Sequence, residues 1–294
     1  MRNFTFKGLF LAIVFIVLGS LSIQAADGLI TKQITIKLEK AGTLPDKIGS
    51  TKKKQITNLK IIGEINGTDL RMIREMAGKD VRDNDTDGML SVLDLSDAKI
   101  VEGGDYYYIH YSYYSTSNDK IGDNTFHGCS GLTSLTLPSG VTSIGNGAFA
   151  ACSGLTSLTL PSGVTSIGDL TFYACSGLTS ITLPSGLTEI GYDAFQYCSG
   201  LTSITLPSSV TEIGWGAFCD CSGLTSLTLP SGLTEIGDDA FCGCSGLTSI
   251  YVYTEKLPKM GSSVFGDCDA KKCTVYVPKG TYDDYWLSEF GYFE

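Results

Sequence analysis

Three features of the 294-residue chain predict a mainly β solenoid of stacked parallel strands. The hexapeptide Cys-Ser-Gly-Leu-Thr-Ser recurs at 129, 152, 175, 198, 221 and 244, always 23 residues apart. Each unit holds a short apolar alternation, as in Leu135-Thr136-Leu137, followed by Pro138 and Gly140, the pattern of a brief strand ended by a turn. One unit carries too little apolar surface to stand alone, so neighbours must stack to bury a shared core.

Within the unit 129–151, Leu135 and Leu137 fall on one face of a strand, with Ser134 and Thr136 on the other. Val141 and Ile144 belong to a second extended segment, and Gly145 permits a turn. Ala148 and Phe149 are expected in a single helical or 3-10 turn that returns the chain to Cys152. Stacking then buries Leu132, Leu135, Leu137, Val141, Ile144 and Phe149, with an advance of about 4.8 Å per coil. Residues 121–126 are the second half of an earlier, degenerate copy, and Cys268 opens a truncated last one.

The same stacking accounts for most of the ten cysteines. Cys129, Cys152, Cys175, Cys198, Cys221, Cys244 and Cys268 share one column and are expected as an inward ladder of buried, reduced thiols. Equivalent side chains point the same way, which suits neither disulfides nor a tetrahedral zinc shell. Cys219 and Cys242 share a different column in adjacent coils and are a candidate disulfide, and Cys268 with Cys273 is a second candidate.

The motif Leu-x-x-Ile/Leu-x-Leu-Pro, followed by Val/Leu-Thr-x-Ile-Gly-x-x-Ala-Phe-x-x-Cys, runs from about 121 to 264. It resembles the BspA-like class of leucine-rich-repeat proteins. That resemblance implies a curved solenoid on a bacterial surface with roles in adhesion or protein binding, and it implies no single ligand. The chain departs from the better-known repeat, which has Asn or Cys three residues after the last strand leucine. Gly140 stands there in this sequence, and the cysteine precedes the strand.

Four regions follow. Residues 1–25 have a positive start (Arg2, Lys7), an apolar run from Leu9 and a small residue at Ala25, as a secretory signal peptide does. Residues 26–89 are expected as an α+β N-terminal capping region. Ile34, Ile36 and Leu38 lie on one face of a strand, and Thr68 is placed to cap a helix that Gly78 stops. Residues 90–267 form the solenoid, beginning near the strand-like Leu90, Leu93 and Leu95. Residues 268–294 close it, with Tyr285, Trp286, Leu287 and Phe290 read as an aromatic-rich cap.

The formal charge of -10 offers no basic face for phosphates, so nucleic acid is not an expected partner. No phosphate-binding glycine loop follows a strand and opens a helix, and His110 and His127 have no recurring partner, so no enzyme is expected. His127 falls in a variable column and is expected at the surface. No cofactor is expected, but calcium stays open. Asp83, Asp85, Asp87 and Asp94 follow the spacing of a calcium loop, with Gly88 at its bend; the same residues also suit an acidic surface loop.

Binding is sought in the columns that vary between coils. Residues 146, 169, 192, 215 and 238 are Asn, Asp, Tyr, Trp and Asp. Tyr192 and Trp215 are therefore neighbours, with Tyr173 and Tyr197 extending an aromatic patch of the kind that anchors interfaces. Glu189, Glu212 and Glu235 form an acidic column open to a cationic partner. Ser134, Thr136 and their copies form a hydroxyl ladder on the sheet. Residues 106–114 hold six tyrosines, either a contact surface or an insertion packed on the first coil. Together these features predict a non-catalytic secreted or cell-surface chain whose partners are proteins. The alternatives are a carbohydrate-binding module or a structural spacer.

Overall fold

A computed structural model describes residues 28–293, and the signal segment expected at 1–25 lies outside the described residues. Three parallel strands open the fold: β1 (Ile34–Leu38), β2 (Asn58–Ile65) and β3 (Val92–Ile100). The third pairs in parallel with the first repeat strand, Ser134–Thr136. The boundary expected at 89/90 therefore changes the sequence pattern but not the sheet, since the cap supplies its first two strands. Strands Ser157–Thr159 and Ser180–Thr182 continue the row, and a second row runs from Ser203–Thr205 to Thr274–Tyr276. Another side of each coil contributes a two-residue strand, making a seven-stranded sheet from Lys120–Ile121 to Lys259–Met260.

The remaining side is built of turns. Ala148, Ala150 and Cys152 donate to the carbonyls of Gly145, Gly147 and Phe149, each three residues back. No helix forms there, because two columns per coil are left-handed: one at Asn124, Gly147, Leu170 and Asp193, the other at Gly128, Ala151, Ala174 and Tyr197. That alternation turns every second amide along the stack. Asn124, Phe126 and Gly128 donate to Asn146, Ala148 and Ala150 of the next coil. Gly147, Phe149 and Ala151 repeat the same step onto Asp169, Thr171 and Tyr173. The neighbouring strand side points the other way, with Gly145 donating back to Ile121.

The core is a set of columns. Phe126, Phe149, Phe172, Phe195, Phe218, Phe241 and Phe265 are buried and stack at 5.0–5.6 Å with ring planes within 14°. Each such pair adds about 0.5–1.5 kcal/mol beyond area burial. The seven-cysteine column is buried beside it, and Cys219, Cys242 and Cys273 outside that column carry thiols rather than disulfides. The Cys152 thiol donates to the Phe126 carbonyl at 3.0 Å, and Cys175 does the same to Phe149. Burial pushes the Cys129 thiol up to about 11 and the Cys175 thiol to about 12. The threonine after the first repeat leucine also has a structural job: Thr156 and Thr179 donate Oγ1–H to the carbonyls of Thr133 and Thr156.

In the cap, α1 (Leu44–Lys52) and α2 (Gly67–Met76) cover the N-terminal strands. Asn66, not the expected Thr68, caps α2: its side chain accepts from the Thr68 amide, and Asp69 accepts from the Asn66 amide. The Thr68 hydroxyl instead accepts from the Asp105 amide. Arg74 of α2 is fully buried; it donates to the carbonyls of Asn124 and Thr125 and lies 4.7 Å from the Tyr108 ring centre. The tyrosine-rich segment is a hairpin of β4 (Gly103–Ile109) and β5 (Tyr113–Thr116). Its two faces split the expected alternatives. Tyr107 and Tyr108 are buried on the first coil, while Tyr106, Tyr111 and Tyr113 are exposed.

At the far end, α3 (Tyr282–Trp286) and a 3-10 turn (Glu289–Tyr292) close the stack. Tyr285, Phe290 and Phe293 bury themselves against the last coil, with both phenylalanines on Phe265. Trp286 and Leu287 do not join them, which corrects the reading of all four aromatic and apolar residues as closing groups. A five-residue helix presents too little inward face to bury every apolar side chain it carries. Among the described residues, no helix is long and apolar enough to cross a membrane.

Candidate functional site

The column read as variable has a structural rule. Asp123 accepts the Asn146 amide through Oδ1 at 2.8 Å, Asn146 accepts the Asp169 amide at 2.9 Å, and Asp169 accepts the Tyr192 amide at 2.9 Å. Asp238 resumes the pattern on Ser262 at 2.7 Å. A short side chain bearing an oxygen thus ties each coil to the next. The glycine before the column is needed for this approach: a Cβ at Gly168 would lie 2.5 Å from Asn146 Oδ1.

Tyr192 and Trp215 interrupt that ladder. Neither ring can accept from the amide of the following coil, so the rungs onto Trp215 and Asp238 lose their side-chain acceptor. Both rings face solvent, Tyr192 at 56% and Trp215 at 48% exposure. Tyr192 lies over Gly214, where a Cβ would come within 2.9 Å of its Cδ1. The Trp215 indole N–H donates to Asp239 Oδ2 at 3.3 Å.

Other side chains extend the surface. Tyr173 and Tyr197 meet edge to face at 5.5 Å. Leu170, missed by the sequence reading, is exposed and left-handed at φ 56°, and Tyr197 has φ 61°. Bulky residues rarely adopt that conformation, so the turn geometry holds both outward against their preference. Asp193, also missed, sits between Tyr192 and Trp215 in the fold: its amide donates to the Trp215 carbonyl. Burial, and then neighbouring Asp169, raises its carboxyl above the ordinary value, and its Oδ1 is buried without a hydrogen bond. Asp220 and then Tyr173 push the Tyr197 hydroxyl up.

Glu189, Glu212 and Glu235 stand in register on adjacent parallel strands, three residues before the aromatic column. Lys259 ends the row by pairing with Glu235, which raises the lysine above its usual value. The aromatic patch is thus bordered by acid on its strand side.

The calcium spacing does not produce a convergent site. Asp83 binds Arg74 at 3.2 Å and lies 3.1 Å from His127 Nδ1, Asp85 pairs with Lys79, Asp87 with Lys54, and Asp94 with Lys60. The cause is the segment after Gly88, which enters β3 and carries Asp94 away to a different lysine. Burial raises the Asp94 carboxyl, but hydrogen bonds from Ser96 and Lys60 outweigh it and hold it low; Lys54 lowers Asp87. Among the described residues, no three His, Cys, Asp or Glu side chains gather as a metal site. His127 is half-buried against Asp83 and Tyr108, which corrects the surface placement, and His110 packs on Tyr111.

The family comparison agrees with the coil architecture. Residues 108–222 and 165–285 match the family described as "BspA type Leucine rich repeat region", in six copies. Among solved structures, the chain is similar to a leucine-rich repeat protein of T. pallidum, at 37% identity over 55% of this chain and 73% of that one, with a TM-score of 0.49. It is also similar to a leucine-rich repeat protein of Bacteroides ovatus, at 27% identity over 54% of this chain and 59% of that one, TM-score 0.36. A leucine-rich cell surface protein of Faecalibacterium prausnitzii is 18% identical over 89% of this chain and 94% of that one, TM-score 0.31. No curated protein matches the chain. The family match spans more than half of the sequence and falls on the coils just described, so the chain belongs to the BspA-type leucine-rich repeat family.

Proposed function

We propose that this chain is a secreted or cell-surface adhesion protein that binds a basic protein segment through the turn face of the coils carrying Tyr192 and Trp215. One observation carries the reading. The chain gives up two rungs of its Asp/Asn ladder at those coils and gains exposed rings there. Neither ring belongs to the buried core: Tyr192 rests over Gly214, and Trp215 is tied by its indole N–H to Asp239. Leu170 and Tyr197 add apolar area, and Glu189, Glu212 and Glu235 line the border. Rings beside carboxylates suit lysine or arginine side chains, whose cations lie over aromatic faces while their charge is met nearby. The signal-like start of the sequence supports export.

The test is retention of protein from cell-surface and extracellular-matrix extracts by the immobilised chain, followed by affinity measurement on each isolated partner. Tyr192→Ala with Trp215→Ala is expected to weaken binding at least about tenfold, the loss of a modest aromatic hot spot. Unchanged affinity for every partner would remove the site. If the same double variant instead abolishes binding on a glycan array, the ligand is carbohydrate, with rings stacking on sugars.

A further inference from the structure

Eight of the ten cysteines are buried, and the remaining two, Cys219 and Cys242, are partly exposed. These two occupy the same column in consecutive coils, with the Asp220 amide donating to the Cys242 carbonyl at 2.7 Å. Each thiol faces an exposed or half-buried carboxylate, Cys219 donating to Asp220 Oδ2 at 3.6 Å and Cys242 to Asp267 Oδ2 at 4.0 Å, and negative charge on Cys242 opposes ionisation of Cys219. Adjacent coils separated by about 4.8 Å bring equivalent α-carbons within the range a disulfide spans, about 4.4–6.8 Å. Equivalent side chains leave the stack in parallel, so closure requires the two Sγ atoms to rotate toward each other, which a partly exposed pair on the turn face has room to do. The buried column has the same spacing but two further obstacles. Its thiols from Cys152 onward are committed to phenylalanine carbonyls, as at Cys221 on Phe195 and Cys244 on Phe218. No reagent reaches them without opening the core, whereas Cys219 and Cys242 lie on the turn face.

We propose that Cys219 and Cys242 are a redox modification site, closing into a single disulfide when the chain meets a low-molecular-weight disulfide. The Cys242 thiolate attacks one sulfur of the reagent, forming a mixed disulfide and releasing the first small thiolate. The Cys219 thiolate then attacks the Cys242 sulfur, forming the protein disulfide and releasing the second. Two protein thiols are oxidised, one reagent disulfide is reduced to two thiols, and the two protein protons pass to the departing thiolates. Burial raises both thiols, Cys219 to about 12, so closure is slow at neutral pH and accelerates as pH rises. The bond would staple the coil that carries Trp215 to the one that carries Asp238, across the missing rung.

The experiment incubates the full, folded chain with glutathione disulfide, quenches with acid, and counts free thiols by alkylation in denaturant with mass detection. The expected result is loss of two thiols of ten, with a rate about tenfold higher at pH 8 than at pH 7, as the thiolate fraction dictates. Cys219→Ser is expected to leave Cys242 as a stable glutathione adduct, and Cys242→Ser to abolish closure. Both sites are partly exposed, so circular dichroism matching the parent is expected for each variant. Ten free thiols after incubation, a persistent mixed disulfide in the parent, or a bond mapped to Cys268 and Cys273 would each overturn the proposal.

Discussion

The N-terminal cap and the repeat array cover the same kind of sheet by opposite means. The cap uses unique charge pairs: Lys53 with Glu75, Lys60 with Asp94 and Asp97, Lys79 with Asp85, and buried Arg74 with Asp83. Among the described residues, no ion pair falls between residues 128 and 234. The coils there rest on rungs that recur from coil to coil without ion pairing: phenylalanine on phenylalanine, thiol on carbonyl, threonine on carbonyl and, outside the Tyr192 and Trp215 coils, Asp or Asn on amide. A cap must fit one particular end, so its contacts are individual. A coil must fit a copy of itself, and like charges at one register repel, so its buried rungs are uncharged and the in-register Glu189, Glu212 and Glu235 stand on the strand side facing solvent.

The largest expected effects test that contrast at its two extremes. Arg74→Ala should destabilise the chain by about 3–5 kcal/mol, as breaking a buried ion pair does, with denaturant unfolding as the readout. A loss below about 1 kcal/mol would mean that the cap is not locked by this residue. Phe195→Ala removes a ring from the middle of the stack and should cost a similar 3–5 kcal/mol. Hydrogen exchange distinguishes the two: the Arg74 variant should open the cap first, the Phe195 variant the middle coils.

Smaller changes probe the rungs themselves. Asp169→Ala leaves the Tyr192 amide without its acceptor and should cost about 1 kcal/mol. Tyr192→Asp restores a rung onto Trp215 and should stabilise by up to about 1 kcal/mol while weakening the binding surface. If it destabilises instead, the ring has a packing role and the argument for the patch falls. Asp193→Asn should give the smallest change, and its sign depends on pH. The raised carboxyl contributes stability that is full below the ordinary carboxylate range and lost as pH rises through the folded value. The amide should therefore be neutral or unfavourable in acid and favourable at pH 7, a difference read from melting temperatures at the two pH values.

The periodic part of this fold was legible in the residues. The leucine, phenylalanine and cysteine columns repeat at one interval, and period alone assigns them inward. The Asp/Asn ladder was not, because it joins a side chain to an amide 23 residues away and leaves no local pattern. Its column looked free since Asn, Asp, Tyr and Trp differ so much in size. In the structure the first two are structural, and only the aromatic pair departs from the rule. The acidic loop was legible only in part for a related reason. Carboxylate spacing follows that of a calcium loop, but it does not register the cap residues Lys54 and Lys79 that pair with Asp87 and Asp85. Leu170 escaped notice because its exposure follows from a left-handed turn, which a leucine gives no reason to expect.

The turn face has an electrical consequence. Every coil points three amide N–H groups toward the next, with the paired carbonyls pointing back. Peptide dipoles of about 3.5 D therefore align along one flank of the rod, as they do along a helix axis, giving it a negative pole at its first coil. That pole is where Arg74 is buried: its guanidinium donates to Thr125, and the Tyr107 hydroxyl donates to Asp123. The arginine is thus the counter-charge for a polarised stack as well as a clamp, and lengthening the array by whole coils would leave its electrostatic task in place.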